Sequence, residues 1–334
     1  MRIAIDAMGG DFAPEQIVAG ALKAAADVDA TLVLAGDPDA MQAQLGDGSP
    51  RIEIEPARDV IAMGESPRKA LRGREDSSVA RAVGLVAEGR AQAVVSAGNS
   101  GAFMALAATR MGTIPGVDRP AIAVAFPTPH GHQVLLDVGA NADCKPEYLR
   151  DFGLMGSVYA QATLGISNPR IGLMSIGEEK GKGNELTKAA WDLLQAANLN
   201  FVGNVEGSDL LGDACDVVVC DGFVGNVILK TAERTAQALL YQIKREVKAS
   251  VLLKLLAPAL RSMLKRAVRE FDYAETGGAL LLGVNGVAIV CHGRSDAHAI
   301  ANAVRFAHRA VENRLVEHLA RVFADYENVR VEAG

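Results

Sequence analysis

Ala93-Val94-Val95-Ser96-Ala97-Gly98-Asn99-Ser100-Gly101-Ala102 carries no charge and changes character halfway. Ala93-Val94-Val95 form the apolar run expected of a strand covered on both faces, where neither side meets water, and Ser96 closes it. Gly98-Asn99-Ser100-Gly101 then supplies a tight turn with small polar residues, and the Ala/Leu-rich stretch after it reads as a helix.

Outward from there the same strand, turn and helix recur. Runs at Ile3–Asp6, Leu32–Ala35, Ile52–Glu55, Ile122–Phe126, Val134–Asp137, Ile171–Ser175, Val217–Cys220 and Val287–Cys291 predict further strands around Ala93–Ser96. Helical stretches lie between most of them, a pattern that predicts an α/β fold with a mostly parallel sheet and helices on both faces. Ile300, Val304, Ala307, Val311, Leu315 and Leu319 recur at helical spacing, so one long helix is expected from about Ser295, as its N-cap, to Asp325. No Pro/Ser-rich linker divides the chain, which reads as a single large α/β domain over 1–334 with a basic helical insertion at 244–271.

Composition narrows the function. The 334 residues are 49% hydrophobic but only 4% aromatic, so aliphatic side chains must fill the core. A net charge of −6 argues against nucleic-acid binding through a basic surface. Cys144, Cys215, Cys220 and Cys291 form no CxxC pair and read as free core thiols of a cytoplasmic protein. His130 and His132 lack a carboxylate or Cys at ligand spacing, so no metal site is expected. Arg2-Ile3-Ala4-Ile5-Asp6 begins a strand at once and places Asp6 where a secretory leader would stay apolar. Ala91–Thr109, Phe152–Pro169 and Thr276–Gly293 are uncharged, but their glycines suit buried strand, turn and helix better than membrane spans.

Nearly every predicted strand ends in Gly beside a small polar residue. The turns are Asp6–Asp11, Ser96–Gly101, Asp137–Asn141, Gly177–Asn184, Asp221–Asn226 and His292–Ser295. In a parallel sheet such carboxyl ends converge on one edge, and Gly turns that open helices aim backbone N–H groups at an anion. None of these turns fits GxGxxG with a later acid or GxxxxGK[ST], so the usual dinucleotide and NTP signatures are missing. Lys182, flanked by Gly181 and Gly183, is either a solvated loop lysine or a cation that neutralises phosphate. Asn226 is either a helix cap or a donor to a carbonyl oxygen. Ser100, Asp221 and His292 each follow a strand in the order Ser…Asp…His, which keeps a serine hydrolase or thioesterase as the alternative.

Lys244–Glu270 holds eight cations and two acids along an oily helix interrupted by Pro258. Lys254, Arg261, Lys265, Arg266 and Arg269 would face an acidic protein or an anionic bilayer, unless the stretch is a core or dimer helix.

Taken together, the segments Asp6–Asp11 with Ala13-Pro14, Ser96–Ala102, Asp137–Asn141, Gly177–Glu179 with Lys182–Asn184, Gly203–Gly207, Asp221–Asn226 and Gly277–Ala279 with His292-Gly293 resemble one family. It is the acyl-carrier-protein-dependent phosphate acyltransferase of bacterial phospholipid synthesis. The resemblance runs in order over almost the whole chain, with Ser100 and Ser175 standing where the family often has Thr and Asn. It implies transfer of a fatty acyl group from carrier-protein thioester to inorganic phosphate, without a cofactor or a covalent enzyme intermediate. It also implies a homodimer with a Rossmann-like αβα sandwich, similar to phosphate acetyltransferases and isopropylmalate-type dehydrogenases. The acyl phosphate would feed a membrane glycerol-3-phosphate acyltransferase, so a cytoplasmic enzyme peripheral to the inner face of the membrane is expected. By matching positions, Lys182 and Asn226 carry catalysis, Gly98, Asn99, Ser100, Gly101 and Asn184 hold phosphate, and His292 and Asp221 assist.

Overall fold

Strand residues alternate between two separate cores. Ile3, Ile5, Ala93, Val95, Leu280 and Leu282 bury into one, while Ala4, Val94 and Leu281 bury into the other. A period of two with both faces apolar requires cover above and below, which is the three-layer arrangement the strand runs predict.

The computed structural model describes residues 1–46, 49–129, 131–249, 275 and 277–333. The strands are β1 (Arg2–Asp6), β2 (Thr31–Gly36), β3 (Ile52–Pro56), β4 (Ala93–Ser96), β5 (Ala121–Thr128), β6 (Gly131–Leu136), β7 (Arg170–Met174), β8 (Asn200–Val205), β9 (Val217–Val219), β10 (Ala279–Leu282) and β11 (Val287–Val290). The helices are α1 (Glu15–Ala25), α2 (Pro38–Leu45), α3 (Pro67–Ala70), α4 (Ser78–Ala87), α5 (Ser100–Leu106), α6 (Pro146–Leu164), α7 (Glu185–Ala196), α8 (Gly222–Ala249), α9 (Ala297–Glu312) and α10 (Leu315–Ala333). His130 and the cations Lys254, Arg261, Lys265, Arg266 and Arg269 lie outside the described residues, as does the expected insertion beyond residue 249.

All eleven strands join one sheet in the order β3-β2-β1-β4-β11-β10-β5-β6-β9-β7-β8. Most neighbours are parallel; the exceptions are β11–β10, β10–β5 and β5–β6. That central reversal corrects one expectation. β3, β2, β1, β4 and β11 run one way, whereas β6, β9, β7 and β8 run the other. The Gly turns therefore leave two opposite edges rather than one.

The helices α1, α6, α9 and α10 cover one face, and α4, α5 and part of α8 cover the other. α1 and α9 approach so closely that a Cβ on Gly20 would lie 2.6 Å from Ile300 Cβ. The expected single C-terminal helix is in fact two. Arg314 breaks it with φ of +49°, and the N-cap is Asp296, whose side chain accepts from His298 and Ala299 N–H, rather than Ser295. The uncharged stretches resolve into strands, turns and helices, and among the described residues no helix is long and apolar enough to cross a membrane.

Candidate active site

The turn after β4 rests on a buried polar stack. Ser96 Oγ donates to Asp6 Oδ2 (2.7 Å) and accepts from Gly98 N–H (3.1 Å), which uses that amide internally. Burial pushes the Asp6 carboxyl above its ordinary value, against the pull of the Ser78 and Ser96 hydroxyls. Asn99 caps α5: its Oδ1 accepts from Ala102 N–H (3.0 Å) and its Nδ2 donates to the carbonyls of Ala62, Met63 and Glu65. With that side chain committed, the turn can offer an anion the first-turn N–H groups of Ser100 and Gly101, which no helical carbonyl can take.

On the other half of the sheet, Asp137 organises the loop after β6. Its Oδ1 accepts from the N–H groups of Ile122 (3.0 Å), Gly139 (3.1 Å) and Ala140 (3.0 Å). Its Oδ2 accepts from Asn141 N–H (2.7 Å) and Nδ2 (3.0 Å). α8 starts against this loop: Gly222 N–H donates to Asn141 O (2.7 Å), and a Cβ on Gly225 would lie 1.9 Å from Asp137 O. Only glycine permits that approach. The residue after Gly225 is Asn226, which packs beside Gly139. Asp221 Oδ1 accepts from Val224 N–H (2.9 Å) and so serves as the helix cap. Asn226 lies one turn inside α8 and is not the cap.

These two loop systems face each other across a cleft of about 550 Å³. Gly98, Ser100, Asn226, Lys230, His292, Arg294 and the acids Asp11 and Glu233 supply its polar wall, with Glu233 paired to Lys230 (2.9 Å), and Met63, Met104, Ile122, Val124, Val138 and Leu229 line it with apolar groups. Cys291 also lines it, but burial pushes its thiol up to about 12, so it is protonated near neutral pH. Burial, and then the charge of Lys230, push His292 below the usual histidine value, leaving a neutral imidazole.

The hydrolase alternative fails on geometry. A triad needs the His Nδ1 proton held by a carboxylate. His292 Nδ1 instead accepts from Arg294 N–H (3.1 Å), and Asp221 is absent from the cleft lining and spent on capping α8. Ser100 and His292 do share the cleft, whereas Asp221, the acid of the expected triad, does not line it.

Lys182 and Asn184 stand elsewhere in the fold. Both are exposed in the loop after β7, and neither lines the cleft. Asn184 caps α7, its Oδ1 accepting from Thr187 N–H (2.9 Å). Lys182 makes no ion pair among the described residues, whereas Lys180 pairs with Asp192 (2.7 Å) and lies over the Trp191 ring (4.1 Å). Beneath the loop, Asn204 Nδ2 donates to Glu179 O (2.9 Å), while Asn204 Oδ1 and Ser175 Oγ are buried with no hydrogen-bond partner among the described residues. Because β7 and β9 are parallel neighbours, the Lys182 loop and the start of α8 leave the same edge of the sheet.

Sequence reading missed Lys230, Arg294 and Met63. Lys230 was within reach of it, since it stands one helical turn beyond Asn226 on the same face. Met63 enters through a long connection between β3 and α4 that has no motif to mark it.

The family described as "Fatty acid synthesis protein" matches residues 1–318. A protein of Desulfitobacterium hafniense named "Phosphate acyltransferase" is 50% identical over 324 residues, covering 96% of this chain and 97% of that one. One of the same name from Heliobacterium modesticaldum is 52% identical over 324 residues, covering 95% and 96%. Among solved structures, a phosphotransacetylase from Streptococcus pyogenes superposes with a TM-score of 0.58 at 16% identity, covering 93% of this chain and 94% of that one. A branched-chain phosphotransacylase from Enterococcus faecalis gives 0.58 at 18% identity, covering 93% and 99%. At those identities the likeness is one of fold.

Proposed function

The chain belongs to the fatty acid synthesis protein family and is a phosphate acyltransferase, and on that premise we propose that it moves a fatty acyl group from acyl carrier protein to inorganic phosphate. The observation that carries the proposal is the cleft itself. Its apolar wall of Met104, Ile122, Val124, Val138 and Leu229 suits an acyl chain, and its polar wall places the α5 turn opposite Asn226.

In the proposed mechanism a phosphate oxygen attacks the thioester carbonyl carbon. A C–O bond forms, the C–S bond then breaks, and the carrier leaves as a thiolate that takes a proton from water. Phosphate is the nucleophile, so the reaction is chiefly one of positioning. The N–H groups of Ser100 and Gly101 restrain the dianion; Lys182, whose loop stands outside the cleft in this structure, neutralises it in this proposal when that loop moves toward the bound substrate. Asn226 Nδ2 donates to the carbonyl oxygen as it gains charge, a role for which one donor is typically worth about 10²–10³ in rate. His292 assists as a neutral imidazole.

The family's remaining expectations stand as parts of the same proposal. A homodimer is supported by α8, of which only Gly222 and Gly225 are buried while Phe223, Leu239 and Tyr241 are at least 60% exposed. A cytoplasmic enzyme that touches the anionic inner leaflet, and hands acyl phosphate to a glycerol-3-phosphate acyltransferase there, would use the basic stretch at 244–271. Reversing Arg261, Lys265 and Arg266 to Glu would then weaken vesicle or carrier binding, with steep salt dependence in the parent.

The test is to mix the protein with acyl-carrier thioester and phosphate and to look for acyl phosphate as its hydroxamate. Lys182→Ala and Asn226→Ala are expected to abolish its formation while melting with the parent. Near-parental turnover in both would overturn the assignment of these residues.

A further inference from the structure

The connection between β3 and α4 carries a cationic patch beside the cleft. Residues 66–74 contain Arg68, Lys69, Arg72 and Arg74 and no acid, in a chain of net charge −6. These four cations and Leu71 line a second, open cavity of about 700 Å³.

The cations divide into two roles. Arg74 is structural: its guanidinium bridges Asp59 and Glu65 (2.7 Å to the latter) and donates to Val60 O (2.9 Å), pinning the connection to itself. Arg68, Lys69 and Arg72 are exposed and form no ion pair among the described residues. Leu71, 41% exposed, adds an apolar contact among them. The patch is also held at a fixed place relative to the proposed phosphate turn. Asn99 Nδ2 binds three carbonyls of the connection, Pro67 packs on Gly101, and Met63 of the same connection lines the cleft.

We propose that Arg68, Lys69 and Arg72, with Leu71, dock an acidic surface of the acyl carrier so that its thioester enters the cleft past Met63. This rests on the carrier thioester being the substrate. Location favours a protein over a lipid surface: the patch belongs to the same connection as Met63, which lines the cleft into which a tethered thioester must be delivered. Unpaired cations at such a rim act mainly by steering encounter, an effect of about 10- to 1,000-fold that salt screens.

The experiment compares two thioesters of one acyl group, one on the carrier and one on pantetheine alone, which lacks the carrier's charge. The variant is Arg68→Glu with Lys69→Glu and Arg72→Glu. At low ionic strength its KM for the carrier thioester is expected to rise at least about tenfold. Its kcat, its KM for phosphate and its turnover of acyl-pantetheine should match the parent, and high salt should close the gap. Arg68→Lys with Arg72→Lys should behave as the parent. An unchanged carrier KM in the triple variant, with both thioesters turned over by the parent, overturns the docking proposal alone. Equal losses on both thioesters also overturn it, by showing damage to the cleft. Release from phosphatidylglycerol vesicles with carrier KM intact would overturn it in favour of a membrane contact. A parent that makes acyl phosphate from neither thioester overturns the functional reading, and the docking proposal with it.

Discussion

Ser96 Oγ stands 2.7 Å from Asp6 Oδ2, joining the ends of β1 and β4 directly under the turn that opens α5. The hydroxyl spends its proton on the carboxyl and its lone pair on Gly98 N–H. A charged carboxylate here would oppose an anion bound above it, and burial keeps the group in its neutral form to higher pH than usual.

That shift has a sign that can be measured. In the unfolded chain Asp6 ionises near 3.8, while the folded chain holds the proton to higher pH. Its contribution to stability is therefore full below that value and is lost as pH rises toward the folded pKa. Asp6→Asn should remove this slope and melt above the parent at pH 7, with the gap narrowing toward pH 3. Calorimetric melting across that range reads it directly, and parallel curves would refute the neutral carboxyl.

Asp221 and Asn226, five residues apart, should separate cleanly. Asp221→Ala removes a cap and is expected to cost about 1 kcal/mol of stability with modest loss of turnover. Asn226→Ala should melt with the parent and lose about 10²–10³ in kcat. Paired melting and initial-rate measurements check both halves.

Ser100→Ala should retain most of the parent's turnover, since Ser100 N–H rather than its hydroxyl faces the anion in the proposed site. A fluorophosphonate should leave the protein unlabelled by intact mass. Labelling at Ser100 would revive a nucleophilic serine.

Cys291 lines the cleft, and its thiol is pushed up to about 12 by burial. Near neutral pH the thiol stays protonated and a poor nucleophile. Iodoacetamide should therefore fail to inactivate the folded enzyme, and rapid loss of activity at that pH would contradict the assignment.

Much of this architecture is legible along the chain because buried parallel strands announce themselves. Val217-Val218-Val219 and Ala93-Val94-Val95 can serve little else. β10 escaped because Ala279-Leu280-Leu281-Leu282 has helical propensity, and only the slot between β5 and β11 forces it straight. β8 escaped because Asn200, Gly203 and Asn204 are poor strand formers at a sheet edge, with Gly203 at φ of +101°. Strand direction is a tertiary property, so the reversal at β5 and β6, and with it the cleft between opposed halves, had no local signal. The turns holding Gly98 and Asn226 were legible as turns, because glycine beside a small polar residue has few other uses. Lys230 and the cationic patch were not, because a charged residue on a helix or loop reads as solvated until the fold shows what it faces.

The central claim is that orthophosphate itself attacks the acyl carbonyl, and it is tested most directly by withholding phosphate. The chain is mixed with a small excess of acyl-carrier thioester in phosphate-free buffer, and intact masses of both proteins are followed before and after phosphate is added. The account predicts no acyl adduct on the chain and no free carrier until phosphate arrives, then release of carrier in step with acyl phosphate. A stoichiometric acyl adduct on the chain, with carrier released before any phosphate is present, would contradict it.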